Sequence, residues 1–354
     1  MTGAAEAARR TRRRRRLSVL GVSLVIALLL GEVGARIVLA VLDAMPRSLP
    51  SGGSRVGLVD MIQAASHADV VYELRAGLDC QYEGAVVHSN ADGFRGPERT
   101  RTKPANAFRI VGLGDSVLFG WGVSYDESGI AQLERQLQGK LPGRLVETIG
   151  TGVPGYNTAM QAALLREKGL AFAPDVVLVD FVGNDFDLPN FLLEPIDFWR
   201  LDRCYLIGLL ARVARQHGND PLGPFVGAPV DARGDFESDP SRVPAVYRHL
   251  VGPDSYRRAL REILALGEQH GFRVLVTCHA ALRPEAQRIC AELGVPTVEL
   301  QARIDAWLRQ NGHPQYVGSP LTVRAGDPHP SALAHGWWAE AVAAKLGELG
   351  WLPK

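Results

Sequence analysis

From residue 108 onward, short apolar runs alternate with stretches of helical spacing, and this alternation constrains the fold more than any other feature of the sequence. The first run, FRIVGLG, ends in glycine, and the helical stretch after it places Ile130 and three leucines on one face. The later runs that predict strands are RLVETIGTG, PDVVLVDFVGND, FRVLVTC and PTVEL. The stretches that predict the later helices are NTAMQAALLREKGLAF, SYRRALREILALGEQHG, RPEAQRICAELG and SALAHGWWAEAVAAKLGEL. The alternation predicts an α/β fold, a three-layer α/β/α sandwich whose parallel sheet is covered by helices on both faces.

Two regions depart from this alternation. Residues 186–250 break it with apolar and then Pro/Gly/Asp-rich stretches, which predicts an insertion or cap over the edge of the sheet. Residues 46–75 are irregular and rich in Pro, Gly and Ser, as expected of a tether, and residues 76–104 suit a short β-rich or looped prelude. We therefore predict a tether and prelude over 43–107 and the α/β domain over 108–354.

The N-terminus combines a basic run with an apolar one. Seven arginines fall within residues 9–16, and LSVLGVSLVIALLLG follows at once without a charge. As a helix, Leu17 to Leu42 spans about 39 Å, enough to cross a bilayer. Glu32 and Arg36 are four residues apart and can pair on one helical face. Because arginines stay on the cytoplasmic side, we predict a basic cytoplasmic tail (1–16), a single-pass anchor in the cell membrane (17–42) and an extracytoplasmic remainder.

Other interpretations of the N-terminus remain open. The VLA at 38–40 is a tolerable cleavage site for a signal peptide, so the protein could instead be exported after signal cleavage, and the RR pairs allow a twin-arginine signal. A basic arm for DNA is disfavoured because the apolar segment follows immediately. The formal net charge of the chain is +1, so its bulk gives no electrostatic reason to expect a nucleic-acid partner.

The four cysteines are Cys80, Cys204, Cys278 and Cys290. In an exported protein they could form disulfides in three connectivities. Their spacing has no CxxC character, which argues against a zinc site. Two buried free thiols at Cys278 and Cys290 fit the sequence at least as well as a bond.

Chemistry-bearing residues follow the predicted strands. Ser116 closes the GDS after the first strand, GTGVPGYNT follows the second, GND follows the third, and Asp327 and His329 lie in the loop before the last helix. Since functional residues of parallel sheets gather at the carboxyl ends of the strands, we expect these groups to meet.

A nucleophilic serine needs a base, a carboxylate that fixes the base's tautomer, and donors for the oxyanion. The chain can supply Ser116 as the nucleophile, His329 as the base and Asp327 as the carboxylate. The backbone N–H groups of Ser116 and Gly155 and the side-chain amide of Asn184 can serve as oxyanion donors.

The order of these blocks resembles the SGNH hydrolase superfamily, also called the GDSL esterases, over roughly residues 108–348. GDS is followed by a glycine about 40 residues on, by GND about 30 further on, and by a C-terminal Asp–His pair. NADGFRG and the short anchor look like those of membrane-anchored bacterial members. The resemblance implies a flavodoxin-like fold, Ser116 as nucleophile, Asp327 and His329 as its triad partners, and Gly155 and Asn184 as oxyanion donors.

The sequence departs from the family pattern at three points. Val117 stands where the family name has leucine, and Gly150 stands where the family often has an asparagine. One residue, Pro328, separates the aspartate from the histidine, whereas the family often has two. We expect the shorter segment still to direct both side chains inward.

Several other residues have competing interpretations. Asp115 is expected to brace the turn through backbone hydrogen bonds. His279, at a strand end, is the one serious rival base, and His335 is expected to be structural. We interpret the tryptophans Trp121, Trp337 and Trp338 as packing residues, although Trp121 is near enough to Ser116 to line a pocket. GLGDS and GTGVPG match neither a Walker loop nor a dinucleotide fingerprint, which disfavours phosphate binding.

The sequence therefore predicts a membrane-anchored serine esterase acting outside the cytoplasmic membrane on an ester-containing small molecule, a lipid or an acylated glycan. The resemblance requires no metal or cofactor. Because histidine titrates near pH 6.5, a histidine base predicts that activity falls below about pH 6. Two alternatives are an O-acyltransferase acting on a cell-envelope glycan with the same site, and a catalytically idle, anchored binding module.

Overall fold

A computed structural model describes residues 2–44, 49–50, 52–193, 204–214 and 224–353. The chain divides into two compact units. The smaller contains the described residues of Met1–Ser48 and Glu194–Val226, and the larger contains those of Leu49–Leu193 and Gly227–Lys354.

The strands run, in chain order, as β1 (Ser54–Arg55), β2 (Ile62–Ala64), β3 (Tyr72–Leu74), β4 (Asp79–Tyr82), β5 (Ala85–His88), β6 (Ala107–Leu113), β7 (Leu145–Gly150), β8 (Val176–Asp180), β9 (Phe191–Leu193), β10 (Phe225–Gly227), β11 (Arg273–Cys278), β12 (Thr297–Glu299), β13 (Thr322–Arg324) and β14 (Asp327–Pro330). The helices are α1 (Thr2–Ala44), α2 (Leu58–Met61), α3 (Ser116–Phe119), α4 (Gly129–Lys140), α5 (Thr158–Glu167), α6 (Tyr205–Ala214), α7 (Gly252–His270), α8 (Pro284–Glu292), α9 (Gln301–Gln310) and α10 (Ala332–Glu348). Short 3₁₀ turns occupy Ala68–Val70, Tyr125–Glu127, Gly169–Phe172 and Ala245–Leu250.

A parallel sheet in the order β12-β11-β8-β6-β7 forms the middle layer of the larger unit. Every residue of β6 is buried, which explains why its sequence does not alternate between apolar and polar residues. Its one charged residue, Arg109, is buried in an ion pair with Glu147 at 2.6 Å. In the register of the sheet, Leu113 of β6 pairs with Val179 of β8, and Gly112 pairs with Gly150 of β7. The carboxyl ends of these strands therefore lie at one edge, as the sequence predicts.

Helices cover both faces of this sheet. On one face α4 and α10 pack together, and their core includes Leu133, Leu137 and the fully buried Trp338. On the other face α5 packs against α7, and Tyr256 of α7 is buried there. The α/β/α sandwich expected from the alternation is confirmed.

The larger unit differs from the sequence prediction in three places. The stretch 58–74, expected to be an irregular tether, forms α2, β2 and β3, and its Tyr72 is fully buried; the expectation is wrong there because side chains at irregular spacing still fill the core. Helix α9 was not predicted, since Ile304 is its one buried residue and its periodicity is correspondingly faint. The segment before the last helix is a short antiparallel hairpin of β13 and β14 rather than a loop.

In the smaller unit, α1 contains a segment, Arg9–Val41, that is long and apolar enough to cross a membrane. Its large apolar side chains are exposed from Leu17 to Leu30. Arg36 donates to Glu32 across one turn, with 2.8 Å between Nε and Oε1, as their spacing predicts. Helix α6 packs against α1 within this unit.

All four cysteines are described, and each is a free thiol. Cys278 and Cys290 are buried, as one of the two interpretations expected, and Cys80 is buried as well. Burial raises the pKa of the Cys278 thiol to about 12, so this thiol stays protonated at neutral pH.

Candidate active site

Ser116 lies at the first position of the short helix α3, directly beyond the carboxyl end of β6. Asp115 caps this helix, since its carboxylate accepts a hydrogen bond from the backbone N–H of Val117 at 2.8 Å. The backbone around Ser116 is crowded, because a Cβ on Gly114 would lie 2.5 Å from Cβ of Leu118. The GDS turn therefore requires glycine and holds Ser116 in one place at the edge of the sheet.

The loop after β7 passes close beneath this turn. A Cβ on Gly152 would lie 2.6 Å from the backbone nitrogen of Phe119, so only glycine permits the approach. Thr151 ties the loop to β6, since its hydroxyl donates to the carbonyl of Gly112 at 2.9 Å. This bond shows how the loop is held although Gly150 occupies the position where the family often has asparagine.

Asp327 and His329 reach the same place from the β13–β14 hairpin. Both lie on β14, and residues i and i+2 of a strand project to the same side. The Nε2 of His329 lies 2.9 Å from Oγ of Ser116, and its Nδ1 lies 2.7 Å from Oδ1 of Asp327. Strand geometry thus explains why one intervening residue suffices to bring serine, histidine and aspartate into one hydrogen-bonded row.

The Asp327 carboxylate has further donors. Its Oδ1 accepts the backbone N–H of His329 at 3.0 Å, while its Oδ2 accepts Nε1 of Trp121 at 3.2 Å and lies 2.9 Å from Nη2 of Arg324. Partial burial opposes ionisation of Asp327, but the bonds from His329 and Trp121 outweigh it and lower the pKa of the carboxyl. Asp327 is therefore a carboxylate throughout the neutral range.

Arg324 is a site residue that the sequence interpretation missed. Trp121 was interpreted as a packing residue near enough to Ser116 to line a pocket, but its contacts with His329 and Asp327 were not predicted. The indole of Trp121 stacks on the His329 ring with 4.5 Å between centroids and 10° between planes, so Trp121 is more than a packing residue. Arg324 also pairs with Glu83 from the β4–β5 turn. Arg324 could have been found from its position three residues before Asp327 in the sequence. No local pattern connects Trp121 with Asp327, which lies 206 positions away.

The expected oxyanion donors belong to sequence blocks that follow β6, β7 and β8, three parallel strands whose carboxyl ends lie at one edge of the sheet. Gly155 has a φ of +84°, and a Cβ there would meet Asn190 at 2.4 Å, so the position requires glycine. Among the described residues, neither the backbone N–H of Ser116 nor that of Gly155 donates to a protein acceptor. Asn184 lies close enough to the Asp115 carboxylate to lower the pKa of that group, so its side chain is next to the serine turn.

Two buried carboxyl groups support this edge of the sheet. Burial raises the pKa of Asp115, although its bond with Val117, the nearby side chain of Asn184 and the charge of His329 act in the opposite direction. Burial also raises the pKa of Asp185, which accepts hydrogen bonds from Thr158 at 2.5 Å and Gln161 at 3.0 Å. Asp115 braces the turn, as predicted, and Asp185 fixes the GND loop against α5.

The rival base, His279, lies elsewhere. Its Nε2 is 3.1 Å from Nδ1 of His335, its Nδ1 is 3.5 Å from Asp180, and its ring stacks on Trp338. His335 is fully buried, and burial lowers its pKa well below the ordinary value. Both histidines are thus engaged in the packing of α10 against the sheet, and the structure places His329 at Ser116.

A cavity of about 390 Å³ opens beside Asn184. Its lining is strongly polar and includes Asp187, Asp231, Arg233, Asp235, Ser238 and Arg283. Arg283 is oriented by a bond to the carbonyl of Gly183 at 3.0 Å and by the Phe186 ring beneath it. Among the described residues, no group of three or more His, Cys, Asp or Glu is placed to hold a metal ion.

Asp187 in this cavity predicts an unusual pH dependence of stability. Burial raises the pKa of Asp187 to about 6. The positive charge of Arg283 lowers this pKa, while the negative charges of Asp235 and Asp231 raise it. A carboxyl whose folded pKa exceeds its unfolded value destabilises the fold as pH rises through this interval. Because the side chain is half exposed and therefore screened, Asp187→Asn is expected to raise the free energy of unfolding by about 1 kcal/mol at pH 8 and by nothing at pH 4. Urea unfolding at both pH values checks this, and an equal change at the two would contradict it.

A serine hydrogen-bonded to a histidine and through it to an aspartate, at the carboxyl edge of a parallel sheet, is the arrangement that serine hydrolases share. The model of the GDSL-like lipase/acylhydrolase family matches residues 113–337, well over half of the chain. The protein belongs to this family, and it is an ester-hydrolysing enzyme.

Similar solved structures include TesA, with 15% identity over 68% of this chain and 99% of that one and a TM-score of 0.40. An acetyl xylan esterase, AlAXEase, shares 13% identity over 68% of this chain and 100% of that one, with a TM-score of 0.41. A lipase/acylhydrolase from Enterococcus faecalis shares 16% identity over 68% and 96% of the two chains, with a TM-score of 0.39. No curated protein matches the chain.

Proposed function

We propose that the protein is a serine esterase in which Ser116 is the nucleophile, His329 its general base and Asp327 the group that orients the base. The observation that carries this proposal is the hydrogen-bonded row from Ser116 Oγ to His329 Nε2 (2.9 Å) and from His329 Nδ1 to Asp327 Oδ1 (2.7 Å). With Nδ1 donating to the carboxylate, Nε2 keeps the lone pair that accepts the serine proton.

The reaction has two halves. Ser116 Oγ bonds to the ester carbonyl carbon while its proton passes to His329 Nε2, giving a tetrahedral oxyanion and an imidazolium. The intermediate then expels the alcohol, which takes the proton from His329, and an acyl-serine remains. A water molecule attacks the acyl carbon, again giving its proton to His329, and the acid leaves as Ser116 recovers the proton.

The oxyanion has three proposed donors. The backbone N–H groups of Ser116 and Gly155 are without protein acceptors among the described residues, so they are free to bind substrate. Asn184 adds its side-chain amide. Donors that are already oriented stabilise the charge that develops in the transition state without reorganisation, and loss of one such donor typically costs about 10²–10³ in kcat.

Covalent labelling tests the proposal. The full chain in detergent is treated with a fluorophosphonate, which phosphonylates activated serines, and the modified peptide is identified by mass spectrometry. We expect modification at Ser116 and a matching loss of p-nitrophenyl acetate hydrolysis. Modification of another serine, or hydrolysis that survives complete labelling of Ser116, would overturn the proposal.

Trp121 allows a graded prediction for the same mechanism. Trp121→Phe retains a ring over His329 but loses the N–H donor to Asp327, whereas Trp121→Leu loses both. We expect kcat to fall by about 3- to 10-fold in the first variant, because Arg324 still binds the same carboxylate oxygen. Loss of the stacked ring, which also faces the imidazolium, lowers kcat by about 10- to 100-fold in the second.

Steady-state kinetics with p-nitrophenyl acetate measure this gradient, and Trp307→Phe serves as a control because Trp307 packs on His313 and Trp337 instead. Equal activity of the Trp121→Phe and Trp121→Leu variants would show that the stacked ring plays no part.

We also propose that the enzyme acts outside the cytoplasmic membrane, anchored by α1. The support is the apolar stretch of α1 that begins at Leu17, whose large side chains are exposed as far as Leu30, together with the arginines that precede Leu17. Protease treatment of intact spheroplasts tests the topology. The larger unit should be digested, and the residual membrane-bound fragment should retain the N-terminus.

Protection of the larger unit in intact spheroplasts would overturn the proposed orientation. Recovery of a mature chain that begins after Ala40 would overturn the proposed anchor.

A further inference from the structure

The N-terminus of helix α6, in the middle of the insertion, is hydrogen-bonded to the anchor helix α1. The Glu32 carboxylate accepts hydrogen bonds from the backbone N–H groups of Tyr205 at 3.0 Å and Leu206 at 2.8 Å, and from the Cys204 thiol at 3.3 Å. These are the first N–H groups of α6, which have no partner inside the helix. A carboxylate 172 to 174 residues away in sequence therefore caps α6.

Further contacts join the two helices around this cap. A Cβ on Gly31 would lie 3.1 Å from a methyl group of Leu206, so the glycine lets α6 approach closely. The guanidinium of Arg36 lies 4.5 Å from the centre of the Tyr205 ring, and Arg36 also binds Glu32. Polar groups at the junction thus satisfy one another, which is what a low-dielectric surrounding requires.

The position of Glu32 gives the depth of this junction. Leu17 is the first apolar residue after the arginines, and Glu32 lies fifteen residues beyond it. At 1.5 Å per residue the separation is about 22 Å, within a hydrocarbon layer of about 30 Å. If α1 is the anchor, the cap and the N-terminus of α6 lie inside the outer half of the bilayer.

The outward face of α6 is apolar. Ile207 and Leu210 are 66% and 61% exposed, comparable with Leu24 and Leu29 of α1, at 61% and 62%. Leu206 and Leu209 on the other face are half-buried. A ten-residue helix is marginal in water, and one that exposes leucine and isoleucine would be destabilised further.

We infer that α6 is a second membrane-embedded element, held beside the anchor by Glu32, and that the surface formed by Ile207 and Leu210 contacts lipid acyl chains. This inference rests on the membrane anchoring proposed above. The occupant is lipid because the exposed apolar surface of α6 continues that of a helix whose own apolar surface faces lipid.

The chain passes between the two units after residues 48, 193 and 226. Embedding α6 therefore attaches the larger, ester-hydrolysing unit to the membrane through three chain segments instead of one. Such an attachment favours esters presented at a bilayer surface over freely diffusing ones.

Lipid contact is measured on the full chain in vesicles of phosphatidylcholine and phosphatidylglycerol. In a Cys204→Ser background, where the remaining cysteines are buried, Leu210→Cys carries an NBD fluorophore. Leu24→Cys in the anchor is the positive reference, and Val246→Cys, at a 68% exposed position of the larger unit, is the aqueous reference. We expect doxyl-labelled lipid to quench the label at Leu210 within about twofold of that at Leu24 and to leave that at Val246 unchanged.

The outcomes are separable. Quenching at Leu24 without quenching at Leu210 overturns the inference and leaves the anchor standing, whereas absence of quenching at Leu24 overturns both. A blue-shifted label at Leu210 that doxyl lipid does not quench, and that reverts when protein is diluted in lipid, shows that a second copy of the chain covers α6 and overturns the inference.

The Glu32 cap is tested by Glu32→Ala in the same labelled proteins. We expect quenching at Leu210 to fall by about half or more, since α6 loses its tie to the anchor, while quenching at Leu24 stays the same. Unchanged p-nitrophenyl acetate hydrolysis shows that the larger unit is intact. Unaltered quenching at Leu210 would overturn the role assigned to Glu32.

Discussion

Ser116→Ala is expected to lower kcat/KM for p-nitrophenyl acetate by about 10³-fold or more and to abolish fluorophosphonate labelling. The residual rate would come from the oxyanion donors and substrate binding alone, because no other group takes the place of the nucleophile. Ser116 makes a hydrogen bond to His329, and its small side chain sits at a turn held by Asp115. The substitution should therefore leave the melting temperature nearly unchanged.

Ser124→Ala is the matched control, since Ser124 lies eight residues further on and is exposed. Within the part of the chain that the structure describes, its hydrogen bonds are with Glu127 of the same turn. It should retain full activity. A Ser116→Ala protein that is folded and hydrolyses the ester within tenfold of the parent rate would remove Ser116 from the mechanism.

Asp327→Asn is the second substitution with a large expected effect, a fall in kcat of about 10³–10⁴-fold. Trp121 and Arg324 both donate to Oδ2 of Asp327, so an asparagine would turn its carbonyl oxygen toward them. Its NH₂ group would then face Nδ1 of His329 and force the proton onto Nε2. The histidine in that tautomer cannot accept the serine proton, and the backbone N–H of His329 loses its acceptor at this position.

Asp126→Asn, at an exposed position, serves as the control for the isosteric change. Activity of Asp327→Asn within about tenfold of the parent would mean that the base does not depend on this carboxylate for its tautomer. Fluorophosphonate labelling should slow in parallel with kcat, because both reactions need the same activated oxygen.

The sheet was predictable because buried parallel strands and amphipathic helices leave different patterns in a sequence, short apolar runs for the strands and an apolar residue every three or four positions for the helices. The run 108–113 is buried throughout in the structure, and its glycine-rich end marked the turn that presents Ser116. Helix α9 was not predicted because a helix that buries little beyond Ile304 has almost no apolar stripe in its sequence. The helix and strands within 58–74 were not predicted because the core residues of this stretch, such as Tyr72, do not recur at a regular interval.

The candidate active site, like the fold, was predictable from the sequence only in part. Its blocks could be placed at strand ends from their order alone, because the carboxyl ends of parallel strands share an edge. That Asp327 and His329 project to one side follows from their lying on a strand, and the sequence had suggested a loop. The environment of Asp327 was hidden, since Trp121 comes from a turn more than 200 residues earlier.

The sequence by itself determined the layered α/β fold, the edge at which the functional blocks meet and the pairing of Glu32 with Arg36 along one helix. Each of these depends on neighbours within a few residues or on a repeated spacing. Only the tertiary structure decided that Trp121 covers His329 and binds Asp327, that His279 is engaged with His335, and that Glu32 caps α6. Those contacts join residues 56 to more than 200 positions apart, and no local pattern records which distant side chains the folded chain will bring together.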